Sequence, residues 1–525
     1  MKKLWKLLSC LVASLLMCTL AFSTVACGEE DNPDVVTWAI WNSGWGIDVQ
    51  TKLAETWNEK YAPTYGFTVE IEQTASQTAL AGDFSSGYST HEIFSVPFHG
   101  DRGKEYCYKL NDLLNEVAQE GESKTIKEKF PSKVLDKYVQ SNGDILYIPG
   151  QASQNTGITY NYSLFVEVGT DVILGHEAGD YLPRTTGELI KLSNNPKFNN
   201  ADHRAWVHFA DAWNGYYPYV MEVWAAQHDG AAKWEQLLQL ERDPAIGDVG
   251  AKARFLEKDG RYAMFEEISK MINQNKVQAA SNSSNFTTQQ TAFLDGQGMM
   301  MVNGNWLGAE MQKNDGYFDG EKFRFMPNPV ISTIIHRTPT IGDDATLSKV
   351  VKCVDEQMTY DQAKAVVNGL SEADYNIVWE ARNMRLVGGK ASGNYIANYS
   401  LALENAKIFF KFIYSDEAGA IFRDIKHVDP MFAFADESYV TNYDYNSWDA
   451  WSKSVKSAWD PALCSYSPSL GCTASRVYDS TDTHGNVDII KAFTSTNSAD
   501  RQSWQQRWEY FENYVETSWV NWVAQ

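Results

Sequence analysis

Long apolar runs are scarce in this sequence of 525 residues. Beyond Phe22 no stretch stays apolar for the ~18 residues a membrane-crossing helix needs, so nothing past the N-terminus reads as a span. Positive charge is scarce too: 45 Lys and Arg stand against 67 Asp and Glu, a net charge of −22. A surface this acidic argues against nucleic acid or anionic lipid as a partner. Cysteine is sparse, with seven in all. Cys10 and Cys18 lie in the N-terminal apolar stretch, and Cys107, Cys353, Cys464 and Cys472 show no C-x-x-C spacing, so zinc or thioredoxin-like chemistry has little support. The nine histidines are scattered without ligand spacing, and no metal or other cofactor is expected. The sequence has no G-x-S-x-G, no H-E-x-x-H, no Walker loop and no G-x-G-x-x-G after a strand, so no catalytic residue is named. Carboxylates are abundant, but nothing marks two of them as a glycosidase pair. Asp343-Asp344-Ala345-Thr346 reads as a helix N-cap rather than a metal site.

The one apolar run that does occur sits at the start. Lys2, Lys3 and Lys6 precede an apolar stretch from Leu7 to Phe22, then small residues Ser23-Thr24-Val25-Ala26, then Cys27-Gly28 and an acidic run. This is the layout of an export signal with a small-residue cleavage site. Removing residues 1–26 leaves 499 and takes the net charge to about −25. That length exceeds one hydrophobic core, so two or more domains are expected. At 44% hydrophobic and 21% charged, the remainder is an ordinary globular chain. Cys27, directly after the small residues, resembles the lipidated cysteine of bacterial lipoprotein signals, although Thr24 stands where such signals usually carry Leu. Ordinary cleavage after Ala26 also fits. Residues 27–34 then form a lipid-anchored tether. Cys464 and Cys472 flank a turn-rich loop, and an exported compartment permits a disulfide there.

Aromatic residues are the abundant class: 18 Trp, 27 Tyr and 24 Phe. Most must be core, because large rings dominate burial. Exposed indoles also make platforms for the C–H faces of sugars. Along the chain, Val35–Trp41 reads as a strand, 48–61 as a helix with apolar residues every four, and Phe67–Glu72 as an alternating strand, which is the opening of an α/β fold. Ile93–Phe98, Ile145–Pro149, Trp206–Phe209 and Gly298–Val302 read as further strands. Helices are expected at Tyr108–Val117, Ser163–Val168, Trp213–Gln227, Phe286–Leu294, Thr359–Gly369, Glu372–Arg382 and Ala402–Ile413. The clearest is C-terminal, with Trp504, Trp508, Phe511, Val515, Trp519 and Trp522 on one stripe. The aromatic region Tyr439–Trp459 has no evident role.

Five blocks, in order, carry a resemblance. Ile145–Pro149 with Thr156–Phe165 looks like the hinge region of extracellular solute-binding proteins (family 1 type) of bacterial carbohydrate ABC importers. Pro183–Leu189 is similar to the P-x-T-x-x-E-L that follows there. Trp224–Gly230 resembles a helix end of the second lobe, and Lys411–Ala418 a late helix. Ala292–Met301 continuing to Gly304-Asn305-Trp306 looks like the F-x-x-G-x-x-A-M…G-x-W signature. The chain departs from the pattern at His91–Phe94 and at Ile396–Ser400.

The resemblance implies an α/β, two-lobe, periplasmic-binding-protein-like fold (type II), each lobe a mixed sheet flanked by helices, with the ligand in the cleft between them. The first lobe is expected over 35–150, completed by 327–400, and the second over 151–326, completed by 401–525. The implied function is capture of an oligosaccharide or sugar derivative and its delivery to ABC permease subunits, by a monomer held to the outer face of the cytoplasmic membrane only through its lipid. A secreted carbohydrate-active enzyme and a surface glycan adhesin or sensor are the other readings. Position and chemistry nominate Trp41, Trp45, His99, Gln151, Trp213, Asn214, Asn303, Asn305 and Trp306 as ligand contacts, indoles for stacking and amides for hydroxyls. Asn155 reads as a structural hinge turn.

Overall fold

The computed structural model describes residues 33–74, 76–96, 103–140, 142–150, 155–209, 216–238, 252–253, 256–315, 318–384, 393–458 and 489–523. Nine strands form two sheets. The first has the order β2–β1–β3–β9–β4, from Val35–Trp41 (β1), Thr68–Thr74 (β2), Ile93–Val96 (β3), Ile148–Pro149 (β4) and Gly393–Ile396 (β9). The second runs β6–β7–β5–β8, from Thr156–Asn161 (β5), Arg204–Val207 (β6), Gly298–Gly304 (β7) and Phe323–Met326 (β8). β1 pairs in parallel with β2 and β3, whereas β9 runs antiparallel to β3 and β4. In the second sheet β6 and β7 are parallel and β5 is antiparallel to both its neighbours. Both sheets are therefore mixed. β5 and β7 are wholly buried, as expected of central strands covered on both faces.

Two buried clusters form, the first reaching from the first sheet onto Met301, Phe323 and Phe325 of the second sheet. Trp38, Trp57, Phe94 and Phe409 belong to the first, and Trp206, Trp224, Met300 and Phe265 to the second. The C-terminal helix Trp504–Val523 docks on the second: Trp508 lies edge-on to Tyr262 at 5.1 Å and to Phe265 at 5.8 Å. The returning segments divide differently from the sequence expectation. The helices Asp344–Asp355 and Glu372–Asn383 bury Val350, Val351 and Val378 in the second core, not the first. The helices Leu403–Ile413 and Asp416–Lys426 bury Phe409, Phe410 and Phe422 in the first core, not the second. The physical reason is that β9, at Gly393, is where the chain re-enters the first sheet, and helices pack on the sheet they adjoin.

Local chemistry sets most element ends. Asp343 is an N-cap, its carboxylate accepting from the Thr346 amide at 2.7 Å, and Thr125 and Thr359 form reciprocal capping boxes with Glu128 and Gln362. The helix read from Trp213 begins at Pro218 instead, where a missing N–H costs nothing. The helix read over 108–117 is reduced to the turn Asn111–Leu114. The reason is competition: the amide of Tyr108 donates to Ile396 and that of Leu110 to Ile145, so these residues serve neighbouring extended segments.

A buried hydrogen-bond chain crosses the first sheet. Trp38 Nε1–H donates to Ser95 Oγ (2.7 Å), Ser95 to Asn394 Oδ1 (2.5 Å), Asn394 Nδ2–H to Tyr414 OH (2.9 Å), and Tyr414 to the Pro149 carbonyl (2.8 Å). It links β1, β3 and β9 to β4, the last strand before the chain crosses to the second sheet. On the far side, Asn155 and Asn305 exchange bonds. The Asn305 amide donates to the Asn155 carbonyl (2.8 Å) and the Asn155 amide to Asn305 Oδ1 (3.1 Å).

Candidate functional site

The two lobes meet where β1 and β7 end. Beyond β1, Ser43 and Gly46 make a tight turn, the Gly46 amide donating to the Ser43 carbonyl at 3.0 Å with Gly46 at φ +72°, a conformation that favours glycine. Beyond β7, Asn305 and Trp306 turn into the helix Leu307–Asp315. Gly44 of the first lobe faces Trp306 and Glu310 of the second. A Cβ placed on Gly44 would lie 3.1 Å from Trp306 Cδ1 and 3.2 Å from Glu310 Oε1. A side chain on Gly44 would require Trp306 or Glu310 to yield by a few tenths of an ångström.

Trp306 is the centre of this contact and is 8% exposed. Its ring lies against Gly304, where a Cβ would come inside 3.0 Å of three ring carbons. Tyr216 and Tyr219 stand edge-on to the indole, with centroids at 6.1 and 6.2 Å. Tyr216 holds φ +64°, a left-handed backbone that is uncommon for a non-glycine residue and is characteristic of functional turns. One helical turn past Trp306, the Glu310 carboxylate accepts from Gln290 Nε2 at 2.7 Å, and the buried Gln290 Oε1 has no partner among the described residues. Beneath these rings burial governs ionisation. Burial raises the Glu222 carboxyl to about 8, so it is neutral near pH 7, and lowers His208 to about 4 against a bond to Asn282, so it is neutral as well. The polar groups described here are thus a carboxylate, an amide and phenols on an aromatic floor. Such a set suits a ligand rich in hydroxyls and C–H faces.

The structure brings some of the sequence-nominated residues together and sets others apart. Trp306 and the Trp41–Trp45 turn meet at the interlobe contact. Trp41 is half-buried against the first core. Trp45 rests on Phe422 at 6.4 Å, its carbonyl accepts from Lys426 at 2.6 Å, and its buried Nε1–H has no acceptor among the described residues. Asn305 is buried and serves the bond pair with Asn155. Asn303 is wholly buried, with Oδ1 accepting from the Gly304 amide at 2.8 Å and Nδ2 directed at the Met301 sulfur at 3.5 Å. Both amides hold the end of β7. His99, Gln151, Trp213 and Asn214, together with Cys27, Cys464 and Cys472, lie outside the described residues. Gly44, Gln290 and Glu310 went unnoticed in the sequence because their proximity arises only on folding. Tyr216 and Tyr219 were read only as part of an aromatic helix face. Cys107 and Cys353 are buried thiols. No helix among the described residues is long and apolar enough to cross a membrane.

Comparison with known proteins defines the architecture. No protein-family model matches the sequence, and no curated protein does either. Solved structures do match over nearly the whole chain. One comes from work on xylan utilization by the thermophilic bacterium Caldanaerobius polysaccharolyticus, with TM-score 0.56 and 14% identity, covering 92% of this chain and 100% of the other. The bacterial solute receptor AcbH, described as preferring β-D-galactopyranose, aligns with TM-score 0.56 and 12% identity over 93% of this chain and 100% of its own. An ABC transporter solute-binding protein from Agrobacterium radiobacter K84, solved with ribitol, aligns with TM-score 0.55 and 14% identity over 92% and 98%. The chain has the two-lobe α/β fold of these solute-binding proteins. At such identities the likeness is one of fold, and the chemistry of the cleft has to be argued from this chain's own residues.

Proposed function

We propose that this protein is an extracytoplasmic solute receptor that captures a carbohydrate between its lobes and delivers it to an ABC permease, without chemical conversion. The observation that carries the reading is the position of Trp306, an indole flanked by Tyr216 and Tyr219 and facing Gly44 across the interlobe contact. A pyranose stacks its C–H face on such a ring, and Glu310 and Gln290 receive its hydroxyls. Rigid lobes closing around a solute give affinity through desolvated stacking and hydrogen bonds. The sugar receptors that share this fold support the carbohydrate class.

Export by residues 1–26 and lipidation at Cys27 complete the proposal. A receptor held at the membrane face meets its permease at high effective concentration while its cleft samples the outside. One acyl chain holds a protein only marginally, so a doubly or triply acylated cysteine is expected, and mass spectrometry of the mature N-terminus reads it directly.

The functional test is a glycan panel read by thermal shift and calorimetry. Saturable stabilisation by a sugar that is recovered unchanged supports the receptor, because a ligand that prefers the native state raises apparent stability. Trp306→Ala is expected to weaken that binding by about 30-fold or more, the ~2 kcal/mol typical of a buried aromatic anchor. Hydrolysis of the bound glycan, or unchanged affinity in the variant, overturns the reading.

A further inference from the structure

The aromatic region Tyr439–Trp459 is largely accounted for by a second depression in the molecule. A groove of about 1400 Å³ lies between Pro131 on the first lobe's flank and Arg184, Trp379 and Arg382 on the second, and the segment from Val428 to Ser457 forms its third side. None of the residues described around Trp306 lines it. The third side is held from behind by Arg423, which is nearly inaccessible. Its guanidinium lies 3.6 Å from the centroid of Tyr443 and 4.8 Å from that of Phe434, and it donates to the Tyr439 carbonyl at 2.6 Å. The wall is therefore a built feature, not a loose loop laid on the surface.

Three observations define what the groove would take. First, Trp379 is 40% exposed, whereas Trp448, the other tryptophan lining the groove, is buried. Its indole lines the groove, with no aromatic ring stacked on it among the described residues. Second, the lining charges nearly cancel: five Lys or Arg against four Asp or Glu, in a chain of net charge −22. Six of them are paired among themselves, while Lys124 and Lys453 donate to the Phe434 and Asn446 carbonyls. Arg382 holds both oxygens of Asp355 at 2.7 and 2.8 Å, Arg184 pairs with Asp180, and Lys456 pairs with Asp429, which also accepts from Tyr445 at 3.0 Å. The Asp355, Asp180 and Asp429 side chains each remain about one-third exposed, so they keep lone pairs directed to solvent in orientations fixed by their cations. Six of the nine lining charges are thus neutralised by a neighbour, and a neutral polyol would find fixed acceptors there. Third, the volume exceeds the ~300–1,000 Å³ of ordinary small-molecule pockets, which suits more than one sugar ring.

We propose that this groove is a second carbohydrate site, taking a neutral oligosaccharide with one ring stacked on Trp379 and its hydroxyls on the Asp355–Arg382 and Asp180–Arg184 pairs. It shares no lining residue with the contact around Trp306, so the two sites can fail independently.

Calorimetric titration of the full mature chain with xylohexaose, cellohexaose, maltohexaose and chitohexaose tests this, on the wild type, Trp306→Ala, Trp379→Ala, Trp379→Phe and the double alanine variant. The expected result is that Trp306→Ala still binds at least one hexaose saturably. Adding Trp379→Ala should weaken that residual binding tenfold or more, and Trp379→Phe, which keeps a ring, should retain part of it. Because Trp379 is exposed, its variants should melt within a few degrees of the wild type. Failure of Trp306→Ala to bind any of the four hexaoses, or residual binding indifferent to Trp379→Ala, overturns the second site. If Trp306→Ala leaves all binding intact while Trp379→Ala removes it, the cleft reading falls and the groove stands.

Discussion

Gly304 should be the residue through which the Trp306 indole is positioned, and Gly304→Ala isolates that role. Gly304 lies within β7, paired with Thr156 of β5, and its backbone is ordinary strand, so alanine meets no conformational penalty there. The penalty is steric. The added methyl would fall inside 3.0 Å of three carbons of a rigid fused ring, whereas carbon pairs rest at about 3.5–4.0 Å. The ring must shift on the order of 1 Å, and its other edge already faces Gly44, with Tyr216 and Tyr219 beside it. Overpacking of this kind costs about 1–3 kcal/mol. Urea denaturation measures that cost without any ligand, and tryptophan fluorescence reports the altered indole environment. Calorimetry with the sugar found in the glycan panel should show a loss of roughly tenfold or more, since 1.4 kcal/mol corresponds to one decade.

The decisive control is the double variant. In a Trp306→Ala background the clash has no partner, so Gly304→Ala should then cost almost nothing. The coupling energy between the two sites should approach the whole single-variant penalty. Equal destabilisation by Gly304→Ala in both backgrounds would mean that the glycine serves the strand rather than the ring, and the reasoning would be refuted.

Two further predictions concern the first lobe. Lys129 is fully buried between Glu122 (2.6 Å) and Asp416 (2.8 Å) and also donates to the Tyr414 carbonyl, so Lys129→Ala strands two carboxylates and should cost about 3–5 kcal/mol in chemical denaturation; a loss below 1 kcal/mol would refute the pairing. His91 sits between Asp83 (2.9 Å) and Glu72 (2.7 Å). Burial works against its charge, but the two carboxylates prevail and raise it to about 9 from an ordinary 6.5. A raised folded value means that its contribution is complete below about pH 6.5 and is lost as the pH climbs through about 9. The wild type should therefore lose stability over that window relative to His91→Gln when melting is followed against pH, and parallel curves for the two proteins would dismiss the clamp.

What could be read from the sequence depended on how local the determining forces are. The helix Phe286–Leu294 and the core of β7 were legible because an apolar run between glycines and an Asn cap act within a dozen residues. β8 and β9 went unread: each is four residues long, and its partners lie more than 150 residues away. The allotment of 344–383 to the first lobe failed for the same reason, since nothing in an amphipathic helix states which of two sheets it will cover. At the site, the glycine and asparagine neighbours of Trp306 and Trp45 suggest exposed loops, yet both indoles are buried. Those neighbours could not show that Gly304 is there to seat the ring, or that Asn303 turns inward to its own strand. Tyr216 was assigned to a helix face, yet it precedes Pro218 in a left-handed conformation that no periodicity encodes. The contact of Gly44 with Glu310 joins positions 266 residues apart and is legible only after the lobes are assembled.

The arrangement of hydrogen bonds at the first crossing explains how a contact as close as Gly44 to Trp306 can be reproducible. A cleft discriminates among solutes only if its walls arrive at the same separation each time, so each lobe must move as one body. In the first lobe the chain of bonds from Trp38 through Ser95, Asn394 and Tyr414 ends on the carbonyl of Pro149. Every donor in that chain is satisfied in one direction, and its members are buried, so slipping one residue would leave an unpaired group at about 1–3 kcal/mol. In the second lobe, Asn155 is tied by two bonds to Asn305, the residue immediately before Trp306. The departure of the chain is thus fixed to the strand that ends at Trp41. Its arrival is fixed to the strand end that carries Trp306. The crossing is anchored at both ends to the elements that present the aromatic walls, so lobe position and ring position are set by the same bonds. Cutting either anchor, for example with Asn394→Ala or Asn305→Ala, should broaden the distribution of interlobe distances before it unfolds either lobe.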